Sequence, residues 1–359
     1  MKTPKIKVIF NDDCAGSATE PESTDLDIIA QAQAAKEIVS ALFEEGYDVD
    51  MYALKQPHIA SIDALVAELH DAKDSIVFNL CEAAFGKSSY EMHIAALFEL
   101  YGVRYTGNGP LTLALALNKG LTKDILSRRD IMTPEYSVMS GPPMRLKRAL
   151  KFPLIVKPLS EDASLGIDAG AVVHNMKALK SRVEFIIGAF HQPVIVEEYI
   201  DGREFNIAVM GNGAKARALP PSEIDFIDFP QDKPRICCYE AKWVAESPLY
   251  KKTKPICPAN VPDALRDELQ SVALKAYEAM GCRDYARVDT RLGEDGNIKV
   301  LEVNPNPDIS SDAGFARAGA AIGLSYSKLI SSIVEIALAR YDTADGGNML
   351  MSSPLKELV

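Results

Sequence analysis

The stretch "RVDTRLGEDGNIKVLEVNPNP", residues 287–307, joins two strand-like runs through an Asp-Gly pair at 295–296. An Asp-Gly pair between alternating apolar residues is a strong signal for a two-residue hairpin loop. A loop at that pair makes Glu294 face Asn297. The same register sets two further polar pairs opposite each other: Asp289 with Glu302, and Arg287 with Asn304.

The two faces of this hairpin differ in character, because side chains alternate along a strand. One face carries the four polar side chains. The other face suits a core and carries Ala286, Val288, Thr290, Leu301 and Val303. Pro305 and Pro307 cannot extend the ladder of backbone hydrogen bonds, so the second strand ends there.

Two carboxylates that face each other, Asp289 and Glu302, need a cation between them or one bound proton. With the amide of Asn304 they offer hard oxygen ligands, which suit Mg²⁺ better than Zn²⁺. Since Mg²⁺ fills its other positions with water and phosphate, the cluster predicts a metal–nucleotide site. The alternative is a surface salt network with Arg287 and Arg291.

Length and composition limit the remaining possibilities. A chain of 359 residues predicts two or three domains, and a net charge of −11 argues against nucleic acid as the main partner. The start "MKTPKIKVIFNDD" does not have the pattern of a signal peptide, and no apolar run is long enough for a membrane span. The six cysteines form no C-x-x-C pair, so we expect a reduced, cytoplasmic protein.

Strands alternate with helices over the first third of the chain, which predicts a parallel α/β sheet. We expect an N-terminal α/β domain at 1–116, a central α+β subdomain at 117–205, a strand-rich third domain at 206–340 and a loose tail at 341–359. The pair Asp201-Gly202 predicts a hairpin between "VIVEEYI" and "REFNIAVMG". Residues 219–260, rich in Pro and charge, are expected to form a loop.

Six segments, in this order along the chain, resemble the ATP-grasp superfamily and, within it, the D-alanine–D-alanine ligases. They are "YTGNGPLTLALALNKGLTKDIL", "FPLIVKPLSEDASLGI", "VIVEEYIDGREFNIAVMG", "CYEAKW", "ICPANV" and "RVDTRLGEDGNIKVLEVNPNP". The similarity covers about residues 76–340. It implies a three-domain ATP-grasp fold with a Rossmann-like N-terminal domain, and ATP between the second and third domains.

The resemblance also implies roles for particular residues. Lys119 and Lys157 correspond to lysines that contact the nucleotide, and Ser164 lies in the loop 161–166 over the phosphates. The adenine-contacting segment would be Glu197, Glu198, Tyr199 and Ile200, with Glu204 on the ribose and Lys242 on the γ-phosphate. Asp289, Glu302 and Asn304 would hold Mg²⁺ (or Mn²⁺), with two ions expected, and Arg287 would stabilise the oxyanion.

The mechanism that the resemblance implies has two steps. A substrate carboxylate attacks the γ-phosphorus of ATP and gives an acyl phosphate and ADP. An amine then displaces phosphate and forms an amide. We therefore expect small-molecule carboxylate and amine substrates of the amino-acid type, and a homodimer is the family's common assembly.

The chain departs from the family in its substrate half. "FNDDCAGSATEPESTD" replaces the family's Gly-Gly…Ser-x-Glu-x-x-Ser pattern. Four further positions differ: Ala163 and Ala313 stand where the family has serines, Trp243 where it has a tyrosine, and Asp308 where it has a glycine. These changes predict a substrate pair other than two D-alanines.

Three residues are candidates for substrate contacts: Glu91, Trp243 and Asp308. Asp308 could attract a cationic group, or it could be a simple turn former. Glu91 could bind an amino group, or it could be an ordinary acid on a surface helix. Three other functions stay open beside the ligase: an ATP-grasp kinase for a small metabolite, a D-alanine–D-alanine ligase proper, and a nucleotide-binding protein without turnover.

Overall fold

The computed structural model describes residues 4–12, 21–54, 59–72, 75–162, 164–226, 229–230, 233–238 and 247–344. The strands in the first half of the chain are β1 (Lys5–Asn11), β2 (Val49–Leu54), β3 (Ser75–Leu80), β4 (Arg104–Tyr105), β5 (Tyr136–Met139), β6 (Leu154–Pro158) and β7 (Val172–Val173). The later strands are β8 (Val194–Glu198), β9 (Gly202–Met210), β10 (Arg217–Ala218), β11 (Ser222–Asp225), β12 (Lys254–Ile256), β13 (Tyr285–Gly293) and β14 (Ile298–Asn304).

The helices follow the expected alternation with the strands. They are α1 (Pro21–Glu44), α2 (Ile59–Asp71), α3 (Glu91–Leu100), α4 (Pro110–Leu117), α5 (Lys119–Arg128), α6 (Met176–Phe190), α7 (Pro248–Lys251), α8 (Asp263–Ala279), α9 (Gly314–Ala321) and α10 (Tyr326–Ala344). The last helix continues into the predicted tail, and residues 345–359 lie outside the described part of the chain.

Three sheets organise these elements. The first is parallel in the order β2-β1-β3-β4, as the alternation predicts. The second is antiparallel in the order β5-β8-β6-β7. The third has six antiparallel strands in the order β12-β11-β9-β13-β14, with β10 beside β9. The predicted loop at 219–260 therefore contributes two strands, β11 and β12, to the third sheet.

The predicted hairpin at Asp201-Gly202 is wrong. β8 belongs to the second sheet and β9 to the third, so the chain crosses between sheets here and does not fold back on itself. Gly202 pairs with Gly293 of β13, where a Cβ atom would lie only 2.0 Å from the carbonyl oxygen of Leu292. The glycine thus allows two backbones to approach closely and does not form a turn.

The hairpin of β13 and β14 keeps its predicted pairing at the polar end. Asp289 pairs with Glu302 and Arg287 with Asn304. Near the turn the register differs by one residue, because the loop has three residues, 294–296, with Gly296 at φ +76°. An αL glycine that closes a three-residue loop is a common hairpin geometry.

A bulge at Leu301 reconciles the two registers. Thr290 pairs with Val300 while Asp289 pairs with Glu302, so Leu301 is the extra residue on β14. The core face of β14 is therefore Ile298, Val300 and Val303, all at most 2% exposed, and the expectation that Leu301 lies on it is wrong.

Hydrophobic packing links the first and third sheets into one body. A single core cluster contains Ile6 and Val8 of β1, Ala208 and Met210 of β9, and Phe315 of α9. The second sheet has a separate core against α6, which includes Val156, Leu179 and Val183. Its other face packs on Phe226, Phe229 and Leu249 from the 219–260 segment.

Among the described residues, no single helix has the length and apolar character to span a bilayer. Only α9 and α10 taken together pass that test, and they meet at an angle of 98°.

Candidate active site

A small cleft lies between the second and third sheets. Its walls come from the start of α5, the end of β6, the 161–167 loop and β14. The lining residues are Lys119, Lys157, Pro158, Glu161, Asp162, Ser164, Leu165, Ile167 and Glu302. Four of the sequence-predicted residues are thereby brought together: three from the proposed ATP site and one from the proposed metal site.

Glu197 is buried, with only 1% of its surface exposed, and it contacts Lys157 of the cleft. Its two carboxylate oxygens face two lysines, Lys157 Nζ at 3.0 Å and Lys123 Nζ at 3.3 Å. Burial alone would raise the pKa of Glu197, but the two ammonium groups outweigh it and lower that pKa. The acid is therefore held as a carboxylate.

Lys119 begins α5 and points from the helix toward the third sheet. Its ammonium lies 3.7 Å from Glu302 and 3.6 Å from Asp162, and it also donates to the backbone carbonyl of Glu161. Burial opposes the charged form, but the surrounding acids raise the pKa of Lys119 overall. A fixed cation thus lies beside Glu302, although the whole chain is strongly acidic.

The paired acids of the hairpin each meet a cation of the protein itself. Arg287 donates two hydrogen bonds to Asp289, from Nε at 2.7 Å and from Nη2 at 2.8 Å, while Lys119 faces Glu302. Two amides also donate to Asp289: Asn206 at 2.8 Å and Asn304 at 3.0 Å. Each of the two facing acids thus has a positively charged partner, which offsets the repulsion between them. Arg291 does not join this cluster, because it pairs with Glu204.

The donor chemistry of this hairpin fits a hard divalent cation. Asp289, Glu302 and Asn304 offer side-chain oxygens of the type that Mg²⁺ selects, and the two acids lie on directly paired positions of one hairpin face. In the described part of the chain, no group of three or more His, Cys, Asp or Glu side chains forms a metal site. A site here therefore needs the amide oxygen of Asn304 as well as the two acids.

Five described residues of the 161–167 loop line the cleft. Ser164 has φ +64°, and its hydroxyl donates to the carbonyl of Cys237 at 3.0 Å. At Gly166, a Cβ atom would lie 2.8 Å from the ring of Pro158, so only glycine fits. Ala163 lies outside the described residues.

The proposed adenine and ribose segment runs from the end of β8 to the start of β9. Glu204 accepts two hydrogen bonds from Arg291, at 3.1 and 2.7 Å, and Arg291 also donates to the carbonyl of Ile200 at 2.6 Å. The guanidinium lies 5.5 Å from the ring centre of Tyr199. Glu198 instead points to Lys299, at 3.1 Å. The segment is thus fixed by one arginine that the sequence gave no reason to assign to it.

The candidate substrate residues have different surroundings. Glu91 is buried, at 7% exposure, and accepts a hydrogen bond from Asn306 at 3.0 Å, so it is not an ordinary surface acid. Asp308 is exposed and accepts from the backbone N–H of Ser310 at 2.9 Å, which is the turn chemistry of the alternative. Lys242 and Trp243 lie outside the described residues.

Sequence reasoning also missed Lys123 and Asn306, which help to build the site. Lys123 follows Lys119 by one helical turn, and this i, i+4 spacing could have placed both on one face of α5. Asn306 links the turn after β14 to the region of β3 and α3, because it donates to Glu91 and to the carbonyl of Cys81, each at 3.0 Å. No local sequence pattern indicates the contacts of Asn306, because Glu91 and Cys81 are distant from it in the sequence.

Comparisons with known proteins agree with this architecture. Residues 130–335 match the family model described as D-ala D-ala ligase C-terminus. Uncharacterized protein y4sG of Sinorhizobium fredii is 33% identical over 312 residues, 87% of this chain and 89% of that protein. The D-alanine–D-alanine ligase of Bordetella petrii is 32% identical over 304 residues, 82% of this chain and 89% of that protein.

A solved structure shares the fold. The crystal structure of D-alanine–D-alanine ligase from Bacillus anthracis complexed with ATP matches with a TM-score of 0.71 at 22% identity, over 96% of this chain and 100% of that one. The expected enzyme class, an ATP-dependent ligase that forms a C–N bond, is confirmed at the level of the family. The chain belongs to the D-alanine–D-alanine ligase family and has the ATP-grasp fold.

Proposed function

We propose that this protein activates a substrate carboxylate as an acyl phosphate at the cleft and joins it to an amine, with release of ADP and phosphate. The observation that carries the proposal is the convergence of Lys119, Lys157 and Glu302 on one cleft, although they come from different sheets and helices. Fixed cations opposite a hard-ligand face suit phosphoryl transfer, which needs positioning and charge neutralisation.

The residues of the chain have separable roles in this reaction. Lys157, fixed by Glu197, and Lys119, fixed by the acids beside it, would bind phosphate oxygens. Asp289, Glu302 and Asn304 would hold Mg²⁺, which would neutralise charge on the phosphoryl oxygens. Arg287 would stabilise the oxyanion that forms when the amine attacks. The 161–167 loop, which lines the cleft, would keep water away from the acyl phosphate.

We further propose that the substrate pair is not two D-alanines. The support comes from the sequence positions where the family reads its substrate: Ala163, Trp243, Asp308 and Ala313. Ala313 precedes α9 with a side chain that cannot cap the helix or bind a carboxylate. The second candidate is D-alanine–D-alanine ligase proper, which the name of the relative at 32% identity favours.

The test is ADP release from a panel of D- and L-amino acids, alone and in pairs, with the wild type and Glu302→Ala. We expect turnover with one pair other than two D-alanines, its loss in Glu302→Ala, and its retention in Glu294→Ala, an exposed acid at the tip of the same hairpin. Hydroxylamine should trap the acyl phosphate when the amine is omitted.

Other outcomes assign the protein elsewhere. Turnover with D-alanine alone identifies the second candidate. ADP release that needs one substrate and no amine identifies a small-metabolite kinase. A blank panel with tight ATP binding identifies a binding protein without turnover.

A further inference from the structure

Lys123 is a fully buried lysine at the junction of the second and third sheets. None of its side chain is exposed, and its ammonium does not line the cleft. A buried ammonium is costly unless it is paired and hydrogen-bonded. Its contacts therefore need a reason beyond packing.

Three oxygens surround this ammonium. They are Thr133 Oγ1 at 2.9 Å, the carbonyl of Leu301 at 3.2 Å and Glu197 Oε1 at 3.3 Å. Thr133 and Leu301 accept hydrogen bonds from the ammonium, and Glu197 is its ion-pair partner. Glu197 belongs to β8 in the second sheet and Leu301 to β14 in the third, so one side chain ties the two sheets together.

The bulge lies at this link. Leu301 is the extra residue on β14 and has no paired position on β13. Its carbonyl turns to Lys123, and the next residue is Glu302. One turn earlier on α5, Lys119 faces Glu302 itself. Helix α5 thus contacts the backbone of Leu301 through Lys123 and the side chain of Glu302 through Lys119.

We propose that Lys123 is a positioning residue, which fixes Glu197 and the Leu301 bulge and so sets the distance from the nucleotide wall of the cleft to Glu302. The inference rests on the proposed function, since it gives these walls to ATP and its metal. Lys123 itself does not line the cleft. It acts through Glu197, which orients Lys157, and through the backbone that carries Glu302.

The test measures ATP binding by calorimetry in the presence of Mg²⁺, without turnover. Lys123→Met should weaken ATP binding by about 10- to 100-fold, as loss of residues that orient a ligand shell commonly does. Thr133→Val removes one contact but leaves both sheets tied, so it should bind ATP as the wild type does. In turnover, Lys123→Met should raise the KM for ATP and leave the KM for the amine unchanged.

A double-mutant cycle separates positioning from a purely structural role. Lys123→Met and Glu197→Gln act on one unit, so their losses in ATP affinity should not multiply. Multiplying losses, or wild-type ATP binding by Lys123→Met, would overturn the proposal. If Lys123→Met does not fold, Lys123→Arg replaces it: the longer, planar group keeps the charge but cannot match the three oxygens, so ATP binding should weaken in the same direction. A wild type that binds no ATP would instead overturn the proposed function.

Discussion

At the scale of single residues, the site depends on charges that are removed from water and paired in a fixed order. Glu197 lies between Lys123 and Lys157, and each lysine has a second task, one toward β14 and one toward the cleft. Breaking a buried ion pair costs more than the pair contributes, because the remaining charge is left without a partner. The cluster should therefore be sensitive to removal of its shared acid.

Glu197→Ala should lower the free energy of unfolding by about 3–5 kcal/mol, because it leaves two lysine ammonium groups in a low-dielectric site without their acid. Urea denaturation followed by circular dichroism measures this. Arg266→Ala, which breaks the exposed ion pairs with Asp263 and Asp267, is the control and should leave the midpoint unchanged. Equal midpoints for the two variants would show that the buried cluster is not an important source of stability.

Glu91 gives a prediction on pH. Burial raises the pKa of Glu91 well above its ordinary 4.5, although the hydrogen bond from Asn306 opposes the shift. A raised folded-state pKa contributes stability that is complete below the unfolded value and is lost as pH rises through the folded value. Relative to Glu91→Gln, the wild type should therefore lose thermal stability as pH rises.

Melting temperatures of the wild type and Glu91→Gln, recorded from about pH 4.5 to pH 8, measure this effect. The two proteins should be closest at the acid end, and the variant should be the more stable at pH 8. Parallel curves over the whole range would mean that Glu91 titrates as it does in the unfolded chain.

At the scale of elements, two Asp-Gly pairs with the same sequence signal lead to different structures. The pair at 295–296 does form a hairpin loop, while the pair at 201–202 lies where the chain crosses from one sheet to another. Local sequence could not distinguish the two pairs. What distinguishes them is β13, which pairs with β9 and lies close to Gly202. The polar face of the hairpin was predictable because alternation and register are local. The bulge was not predictable, because Lys123, which donates to the carbonyl of the bulged residue, lies on another element.

Gly202→Ala should destabilise the fold by about 1–3 kcal/mol, because the new Cβ would collide with backbone that cannot rotate away. Gly188→Ala is the matched control: Gly188 lies in α6, and apart from the adjacent residues and backbone of that helix no atom lies within 4 Å of the new Cβ. This change should stabilise the protein by about 0.5–1 kcal/mol. Chemical denaturation of both variants provides the comparison, and a neutral Gly202→Ala would contradict the close approach of β9 and β13.

Deletion of Leu301 tests the bulge as an element. Without that residue the alternation still places Val300 and Val303 in the core and Glu302 at the cleft, so we expect the protein to fold. The carbonyl that Lys123 contacts is lost, and ADP release should fall by about 10- to 100-fold. Leu301→Ala keeps the backbone and should remain active. A fully active deletion variant would mean that the bulge has no part in the site.

At the scale of the whole molecule, the sequence predicted the type of the first sheet better than it predicted which strands make up the third. Alternating strands and helices identified the parallel first sheet, and the resemblance identified the ATP-grasp fold. The strands at Ser222–Asp225 and Lys254–Ile256 were missed, because Pro and charge mask their short runs and distant pairing creates them, β11 with β9 and β12 with β11. The cleft itself could not be read from any one segment, since its lining comes from four of them.

Binding of ATP should stabilise the folded protein as a whole, by about 2.7 kcal/mol at a hundredfold excess over Kd. If the hairpin acids hold Mg²⁺, the rise in Tm with ATP should be larger with Mg²⁺ than with a chelator. In Glu302→Ala that difference should disappear, while Glu294→Ala should keep it. An equal rise with and without Mg²⁺ in the wild type would argue against a metal at the hairpin.

The shared core of the first and third sheets has a consequence for how the protein opens. Ile6, Met210 and Phe315 pack in one cluster, so those two sheets should unfold together, while the second sheet keeps a core of its own around Val156 and Val183. Native-state hydrogen exchange should therefore reveal two cooperative units. The amides of β6 and β8 would exchange through an opening in which β1, β9 and β13 stay protected, and nucleotide would slow that opening alone.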